Sequence, residues 1–311
     1  MITELQVLVA VLLDTVLGEP KRFHPLAGFG HIASRVESSL FGNDMLNNAQ
    51  RKFRGVLAWC FVVLPFVIFI FWITQQFVWL TIIVEAVVLY LAIGNQSLTQ
   101  HASAVSNALM KPDLPLARHQ IQMMVSRDTQ NMQDEDISRA TIESVLENGN
   151  DAIFAAIFWF LVLGGPGVIL YRLANTLDAM WGYRNQRYHA FGWFAARVDD
   201  LLNWIPARLA ALTYALIGQT RNALYCWKTQ ANSWKGINPG VVMSTGAGAL
   251  GLTLGGSAQY HGQQVVRPLL GQGSKPNALS IKASVQLVQR SLWLWLGLIF
   301  LEGLFVFILF R

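Results

Sequence analysis

Charged residues are scarce in this chain of 311 residues. Asp, Glu, Lys and Arg make up 13% of it, whereas 53% of its residues are hydrophobic and 12% are aromatic. An average soluble domain contains roughly 25% charged residues, and a soluble surface over such an apolar interior would need more of them. The composition excludes a disordered or fibrous chain and predicts a protein that lies partly in lipid.

Cysteine is also nearly absent, since only Cys60 and Cys226 occur. Two cysteines exclude a disulfide framework and a cysteine-based zinc cluster. The histidines are scattered without the spacing of metal ligands, and the chain contains no G-x-x-x-x-G-K-[ST] phosphate loop. Redox chemistry and a conventional nucleotide motif are therefore not expected.

Acidic residues are missing from a long stretch of the second half. No Asp or Glu lies between Asp200 and Glu302, although this stretch contains basic residues throughout. Such a segment of one charge sign favours anionic partners, either lipid headgroups or phosphorylated substrates. We expect membrane lipid as one partner and no nucleic acid.

Long apolar runs predict helices that cross a membrane. Residues 56–73 and 77–94 are each about long enough to span a bilayer, and the short tip between them predicts a helical hairpin. Residues 292–310 form a third candidate. The run 152–171 contains a Gly-Gly-Pro-Gly cluster at 164–167, which breaks a helix unless neighbours satisfy the freed backbone groups.

The placement of basic residues predicts the orientation of these runs. Lys and Arg precede the hairpin and are absent from its tip, which places its outer ends in the cytoplasm. A complete crossing by 152–171 would put several arginines outside, so we expect a broken or re-entrant helix there. Residues 205–217 contain Arg208 and are short, which suits an interfacial helix. No linker of low complexity interrupts the chain.

The sequence therefore predicts an all-α, polytopic integral membrane protein with a single domain over residues 1–311. It would have several transmembrane helices, one broken or re-entrant helix and cytoplasmic helical segments.

Three carboxylates recur at a spacing of four residues before the run 152–171. Glu143, Glu147 and Asp151 would share one face of a helix that leads towards the membrane. Like charges at this spacing repel by only about 0.2–0.5 kcal/mol per pair, so a solvated acidic face is one interpretation. A bound metal ion or cationic group would turn the same face into a binding site.

Several motifs occur in an order that resembles the CbiB/CobD family, the adenosylcobinamide-phosphate synthases of cobalamin biosynthesis. The longest are Glu-Asn-Gly-Asn-Asp at 147–151, Asn-Thr-Leu-Asp-Ala-Met at 175–180 and Ala-Arg-Val-Asp-Asp at 196–200. Shorter matching segments lie at 13–14, 18–20, 24–25, 127–129, 163–165, 171–172, 182–184, 204–208, 248–251, 254–256 and 260. The chain departs from the family pattern at Gly149, Ala152, Val242 and Met243.

The resemblance implies an ATP-dependent amide ligation. The free propionate of adenosylcobyric acid would be joined, through an acyl phosphate, to aminopropanol or its O-phosphate, which gives adenosylcobinamide or its phosphate. Such chemistry uses Mg²⁺ beside phosphate oxygens, cationic donors for developing charge, and a base for the attacking amine. We therefore expect Mg²⁺ as cofactor, ATP as co-substrate and a corrinoid as substrate.

The resemblance also implies a location and a site. We expect a multi-pass protein of the bacterial inner membrane whose active site faces the cytoplasm, with other late cobalamin-pathway membrane enzymes as candidate partners. The polar segments on both sides of the break would line one cytoplasmic cleft. The catalytic candidates are Glu147, Asp151 and Asp128, and the metal candidates are Asp178, Asp199 and Asp200. The candidates for binding substrate or phosphate are Arg127, Asn148, Arg172, Asn175, Tyr183, Arg184, Arg197, His24 and Tyr260.

Two alternatives belong to other functional classes. An AmpE-like inner-membrane regulator would share the wider superfamily without catalysis. A transporter would explain Glu85 and Glu302, which lie within apolar runs where an ionised carboxylate is costly. The structural interpretation of these two residues is that each glutamate holds helices together.

Overall fold

The computed structural model describes residues 2–20, 25–42, 46–183, 185–260 and 262–309. These residues are mostly helical, which confirms the predicted all-α class. Four of the described helices are long and apolar enough to cross a membrane: Asn48–Thr74, Val78–Met110, Asp134–Trp181 and Ala278–Leu309. The protein is thus consistent with a multi-pass membrane protein.

The helices in chain order are α1 (Ile2–Leu17), α2 (Pro25–Leu40), α3 (Asn48–Thr74), α4 (Val78–Ala92), α5 (Asn95–Met110), α6 (Leu114–Gln122), α7 (Asp134–Gly149), α8 (Ala155–Trp181), α9 (Tyr188–Phe191), α10 (Trp193–Leu202), α11 (Trp204–Ile217), α12 (Thr220–Gln230), α13 (Ile237–Leu250) and α14 (Ala278–Leu309). A π-helical turn, Asn150–Phe154, lies between α7 and α8. The strands β1 (Leu254–Gly255), β2 (Ala258–Tyr260), β3 (Gln263–Val265) and β4 (Leu269–Leu270) form antiparallel pairs, β1 with β4 and β2 with β3.

The predicted runs lie inside helices that extend beyond them. The helix α3 begins at Asn48 rather than at 56, because the Asn47 side chain accepts a hydrogen bond from the Gln50 backbone N–H at 2.9 Å. The Gln50 side chain accepts one from the Asn47 N–H at 3.0 Å, which completes a capping box. Hydropathy detects the apolar part of such a helix and misses its charged first turns.

The described residues group into two compact units, each made of two separated stretches. Unit 1 comprises Met1–Gly94 and Ala155–Asn203, and unit 2 comprises Asn95–Phe154 and Trp204–Arg311. No single cut in the chain separates them. The single-domain interpretation stays a prediction.

Unit 1 is built around α8, which packs against α2, α3, α4 and α10. Large aromatic residues fill the interior: Trp181 and Phe191 are buried with ring centroids 5.3 Å apart, and Trp59 packs edge-on against Phe194 at 5.4 Å. This core positions the polar residues at the end of α8 and along α10.

The predicted break in the run 152–171 is confirmed at Gly164, whose φ of 62° and ψ of −152° are not helical. The N–H of Gly165 donates to Glu85 Oε1 at 3.0 Å. Gln6 of α1 donates to Glu85 Oε2 at 3.2 Å. A Cβ at position 164 would collide with Glu85 Oε1, so both the backbone angles and the packing require glycine. Glu85 thus stabilises the break by accepting a freed backbone hydrogen bond.

Glu302 is different, because its side chain is exposed on α14 and makes no hydrogen bond to the part of the chain that the structure describes. The two acidic residues of the transporter hypothesis therefore have separate environments. The structural interpretation accounts for Glu85.

We expect the substitution Glu85→Leu to lower the free energy of unfolding by about 1–3 kcal/mol, since the N–H of Gly165 would lose its acceptor in an apolar environment. Glu85→Gln keeps a carbonyl oxygen for that N–H and should lose less. The measurement is thermal or denaturant unfolding of the purified protein in detergent, with the exposed-site variant Glu302→Leu as control. Equal stability of Glu85→Leu and the unmodified protein would contradict this role.

Unit 2 contains a helix of small residues, α13, that packs between α7, α11 and α12. Gly246 leaves room for Leu146 of α7, and Gly248 leaves room for the backbone of Asn222 in α12. The hydroxyl of the buried Tyr214 donates to the backbone oxygen of Leu146 at 3.2 Å. These contacts fix α7, which contains the carboxylates considered next.

Candidate functional site

Glu143 is the centre of a buried ion cluster in unit 2. Its side chain is only 1% exposed and accepts hydrogen bonds from Arg127 Nη2 at 2.7 Å and from Arg267 Nη1 and Nη2 at 2.9 and 3.2 Å. The backbone N–H of Gly255 donates to Glu143 Oε1 at 2.9 Å. The interpretation of a solvated acidic face is therefore wrong for Glu143, whose cationic partners are arginines of the same chain.

The partners of Glu143 come from parts of the chain that are distant in sequence. Arg127 lies in the loop that follows α6, and Arg267 lies in the loop between β3 and β4. Arg267 also holds its own loop, because its Nε donates to the backbone oxygen of Gly256 at 3.0 Å and its guanidinium lies 5.2 Å from the Trp234 ring centroid. Glu143 thus anchors both loops to α7.

The Arg127 loop grips the β2–β3 hairpin. The backbone N–H of Asp128 donates to the Gln259 oxygen at 3.0 Å, and the Gly262 N–H donates to Asp128 Oδ2 at 2.7 Å. The guanidinium of Arg127 lies 5.7 Å from the ring centroid of Tyr260. The predicted residues Arg127, Asp128 and Tyr260 are therefore neighbours in one small region of unit 2.

Two cavities adjoin this grip, with volumes of about 370 and 570 Å³. Both are lined by Arg127, Asp128, Asn131, Gln259 and Gly262. The smaller cavity is lined in addition by Arg139, Gln264 and Arg267. Volumes of about 300–1,000 Å³ with convergent polar groups are typical of small-molecule sites. This region of unit 2 is the candidate ligand site.

Unit 1 contains a second group of predicted residues, at the end of α8 and on α10. Asp178 experiences the charges of Asp199 and Asp200, and Asp199 Oδ1 accepts hydrogen bonds from Asn175 at 3.1 Å and Asn203 at 3.2 Å. These carboxylates repel one another, and a bound cation would offset that repulsion.

The donor chemistry of this carboxylate group fits Mg²⁺, which commonly binds proteins through one or two carboxylates while water and substrate phosphates complete its shell. Within the described residues, no three His, Cys, Asp or Glu side chains are arranged so that they could hold a metal ion by themselves. The metal role of Asp178, Asp199 and Asp200 stays a prediction.

The other carboxylates of α7 and its extension have separate positions. Glu147 is half-buried one turn after Glu143, whereas Asp151 lies in the π-helical turn, where its Oδ1 accepts a hydrogen bond from Asn150 at 2.8 Å. A π turn contains one extra residue, so the spacing of four does not continue in register to Asp151. Asn148 is exposed and donates to the Ser144 oxygen at 2.9 Å.

The remaining predicted residues are distributed over unit 1. Arg172 is half-buried on α8, and its Nε is buried without a hydrogen-bond partner among the residues described. Arg197 pairs with Asp200 at 3.1 Å, and Tyr183 is half exposed. His24 and Arg184 lie outside the described residues. The convergence of both groups in one cleft stays a prediction.

Sequence reasoning missed Arg267 and treated Glu143 only as a member of an acidic series. The available signal was the acid-free stretch after Asp200, since a buried acid elsewhere would need one of its arginines. Cys226, which had been set aside, is buried in α12, and burial raises the pKa of its thiol. A protonated buried thiol is unreactive.

Comparison with known proteins gives consistent matches over nearly the whole chain. The family model described as CobD/Cbib protein matches residues 7–288. The chain is 52% identical to "Cobalamin biosynthesis protein CobD" of Stutzerimonas stutzeri (strain A1501), over 96% of this chain and 97% of that protein. It is 52% identical to the protein of the same name from Chromobacterium violaceum, over 93% of each chain. The corresponding protein of Mycobacterium tuberculosis (strain ATCC 25618 / H37Rv) is 34% identical over 90% of each chain. No solved structure shows a significant match.

Proposed function

Because the chain belongs to the CobD/CbiB family of cobalamin biosynthesis proteins, we propose that it is an ATP-dependent amide ligase. In the proposed reaction, a propionate oxygen of adenosylcobyric acid attacks the γ-phosphate of ATP, which gives an acyl phosphate and ADP. The amine of aminopropanol or its O-phosphate then attacks the acyl carbon, loses a proton and displaces phosphate. The product is adenosylcobinamide or its phosphate.

The observation that carries this proposal is the polar cavity region of unit 2, beside the ion cluster of Glu143. Arg127, Arg139 and Arg267 line the smaller cavity together with Asp128. Guanidinium groups stabilise the charge that develops on phosphate and acyl oxygens. A carboxylate beside them is suited to accept the proton of the attacking amine. The reaction needs no side-chain nucleophile, because its intermediate forms on the substrate.

We assign the individual roles as the motifs imply them. Asp128, Glu147 and Asp151 are the candidates for proton transfer, and Asp178, Asp199 and Asp200 would hold Mg²⁺. When bound, this ion would neutralise phosphate charge. Substrate and phosphate contacts are assigned to Arg127, Asn148, Arg172, Asn175, Tyr183, Arg184, Arg197, His24 and Tyr260.

We further propose that the protein lies in the bacterial inner membrane with its active site towards the cytoplasm. The basic residues that precede the α3–α4 hairpin support this orientation. The location also agrees with the use of ATP, a cytoplasmic co-substrate.

Ligation in membrane vesicles tests the reaction and the orientation together. We expect inverted vesicles that contain the protein to form the cobinamide product from adenosylcobyric acid, aminopropanol phosphate or aminopropanol, ATP and Mg²⁺. Omission of ATP or addition of EDTA should abolish the product. Sealed right-side-out vesicles should be inactive until they are permeabilised, because ATP does not cross the bilayer.

Vesicles with the exposed-site variant Glu302→Gln should have normal turnover and serve as control. Product formation without ATP would refute the ligase mechanism, and equal turnover in both vesicle types would refute the orientation. A folded protein that lacks turnover with every amine would favour an AmpE-like regulatory role.

A further inference from the structure

Arg127 and Asp128 are adjacent residues of opposite charge that bind different partners. Arg127 pairs with Glu143, whereas Asp128 contacts the β2–β3 hairpin. No ion pair joins the two side chains to each other among the described contacts. Both residues line both cavities. A cationic and an anionic group therefore face the same space side by side.

Arg127 has donors left for a ligand. Its Nη2 donates to Glu143, while its Nε and Nη1 donate to no residue in the described part of the chain. The side chain is 12% exposed, and Glu143 together with the Tyr260 ring fixes the guanidinium plane. Two adjacent N–H groups in a fixed plane match the oxygens of a phosphate group.

Asp128 has an acceptor left for a ligand. Its Oδ2 accepts the Gly262 N–H, while its Oδ1 accepts no hydrogen bond from the residues that the structure describes. The backbone contact with Gln259 and the contact with Gly262 together fix the carboxylate. An oxygen of this kind suits an ammonium group, for which a charge-assisted hydrogen bond is strong.

We propose that this site binds a small zwitterion, a short aminoalkyl phosphate, with its phosphate on Arg127 and its ammonium on Asp128. The cavities of about 370 and 570 Å³ accommodate such a molecule. Gln264, which lines the smaller cavity, supplies a further neutral donor for phosphate. The identification of this zwitterion with the amine co-substrate rests on the proposed function, whereas the binding site itself rests on the geometry.

Calorimetric titration of the full chain in detergent, without ATP or corrinoid, tests the site. Ethanolamine phosphate is the probe, and inorganic phosphate, ethanolamine, β-alanine and ATP are the comparison ligands. We expect ethanolamine phosphate to bind at least tenfold more tightly than phosphate, ethanolamine or β-alanine, since only the probe satisfies Arg127 with a phosphate and Asp128 with an ammonium. Tighter binding of ATP at this site would assign the phosphate group to the nucleotide and overturn the proposal.

Two variants separate the two contacts. Arg127→Lys keeps a cation for Glu143 but lacks the two free N–H groups, so it should weaken both ethanolamine phosphate and inorganic phosphate by roughly tenfold to a hundredfold. Asp128→Asn should weaken ethanolamine phosphate by a similar factor and leave inorganic phosphate unchanged or tighter. Arg221→Gln and Asp134→Asn, at exposed positions outside both cavities, are the matched controls.

The outcomes distinguish the site from the reaction. Specific binding of the probe in a protein without ligase activity would keep the site and refute the proposed function. Normal ligation with unchanged probe affinity in both folded variants would refute the site and keep the function.

Discussion

Replacement of Glu143 with glutamine is expected to lower the free energy of unfolding by about 3–5 kcal/mol. The carboxylate is buried and shared by Arg127 and Arg267, so its neutralisation leaves two guanidinium groups close together without a counter-charge. Removal of one partner from a buried ion cluster costs more than the net energy of the cluster, because the remaining charges stay desolvated. Denaturant unfolding in detergent measures the loss.

The matched control is Glu135→Gln at the other end of α7. Glu135 pairs with Arg139 and Lys275, but it is 35% exposed. An exposed pair contributes about 0–1 kcal/mol, so this variant should be nearly as stable as the unmodified protein. Similar losses for the two variants would show that the burial of Glu143 has no special energetic role.

Replacement of Glu147 with glutamine is expected to reduce ligation by roughly a hundredfold or more, the scale of lost acid-base or electrostatic catalysis. Glu147 is half-buried on α7, one turn after the anchored Glu143, so a rigid helix positions its carboxylate. Glutamine keeps the size of the side chain and removes its charge. Turnover at saturating Mg²⁺, ATP and corrinoid measures the effect.

Stability separates a catalytic role from a structural one. Glu147→Gln should insert and unfold like the unmodified protein, and Glu135→Gln should keep normal turnover. Near-normal turnover of Glu147→Gln would sink the catalytic assignment without affecting the family membership of the chain.

The membrane helices were predictable because hydropathy and glycine act locally. The runs 56–73 and 77–94 lie in α3 and α4, and the cluster at 164–167 contains the observed break at Gly164. The acceptor that makes this break stable could not be predicted, since Glu85 and Gly165 are 80 residues apart. Local patterns predict where a helix fails, whereas the compensating contact depends on the tertiary fold.

The same distinction applies to the candidate site. The motif 127–129 and Tyr260 indicated residues that the structure brings together, but Arg267 reaches Glu143 across 124 residues. The spacing of four predicted a shared face for Glu143 and Glu147 and did not predict the π-helical turn at Asn150–Phe154. A single sequence contains no signal for an ion cluster that forms only when distant loops meet.

The hydrogen bond between Glu85 and Gly165 has a consequence for biosynthesis. An acidic residue at the centre of a membrane helix adds about 2.5–3.5 kcal/mol to the cost of insertion. The ribosome adds Gly165 80 residues after Glu85, so α4 must enter the bilayer before its acceptor has that backbone partner. Gln6, the other hydrogen-bond partner of the carboxylate, is synthesised earlier than Glu85. We therefore expect α1 to accompany the hairpin during translocon insertion and to shield the carboxylate until α8 arrives.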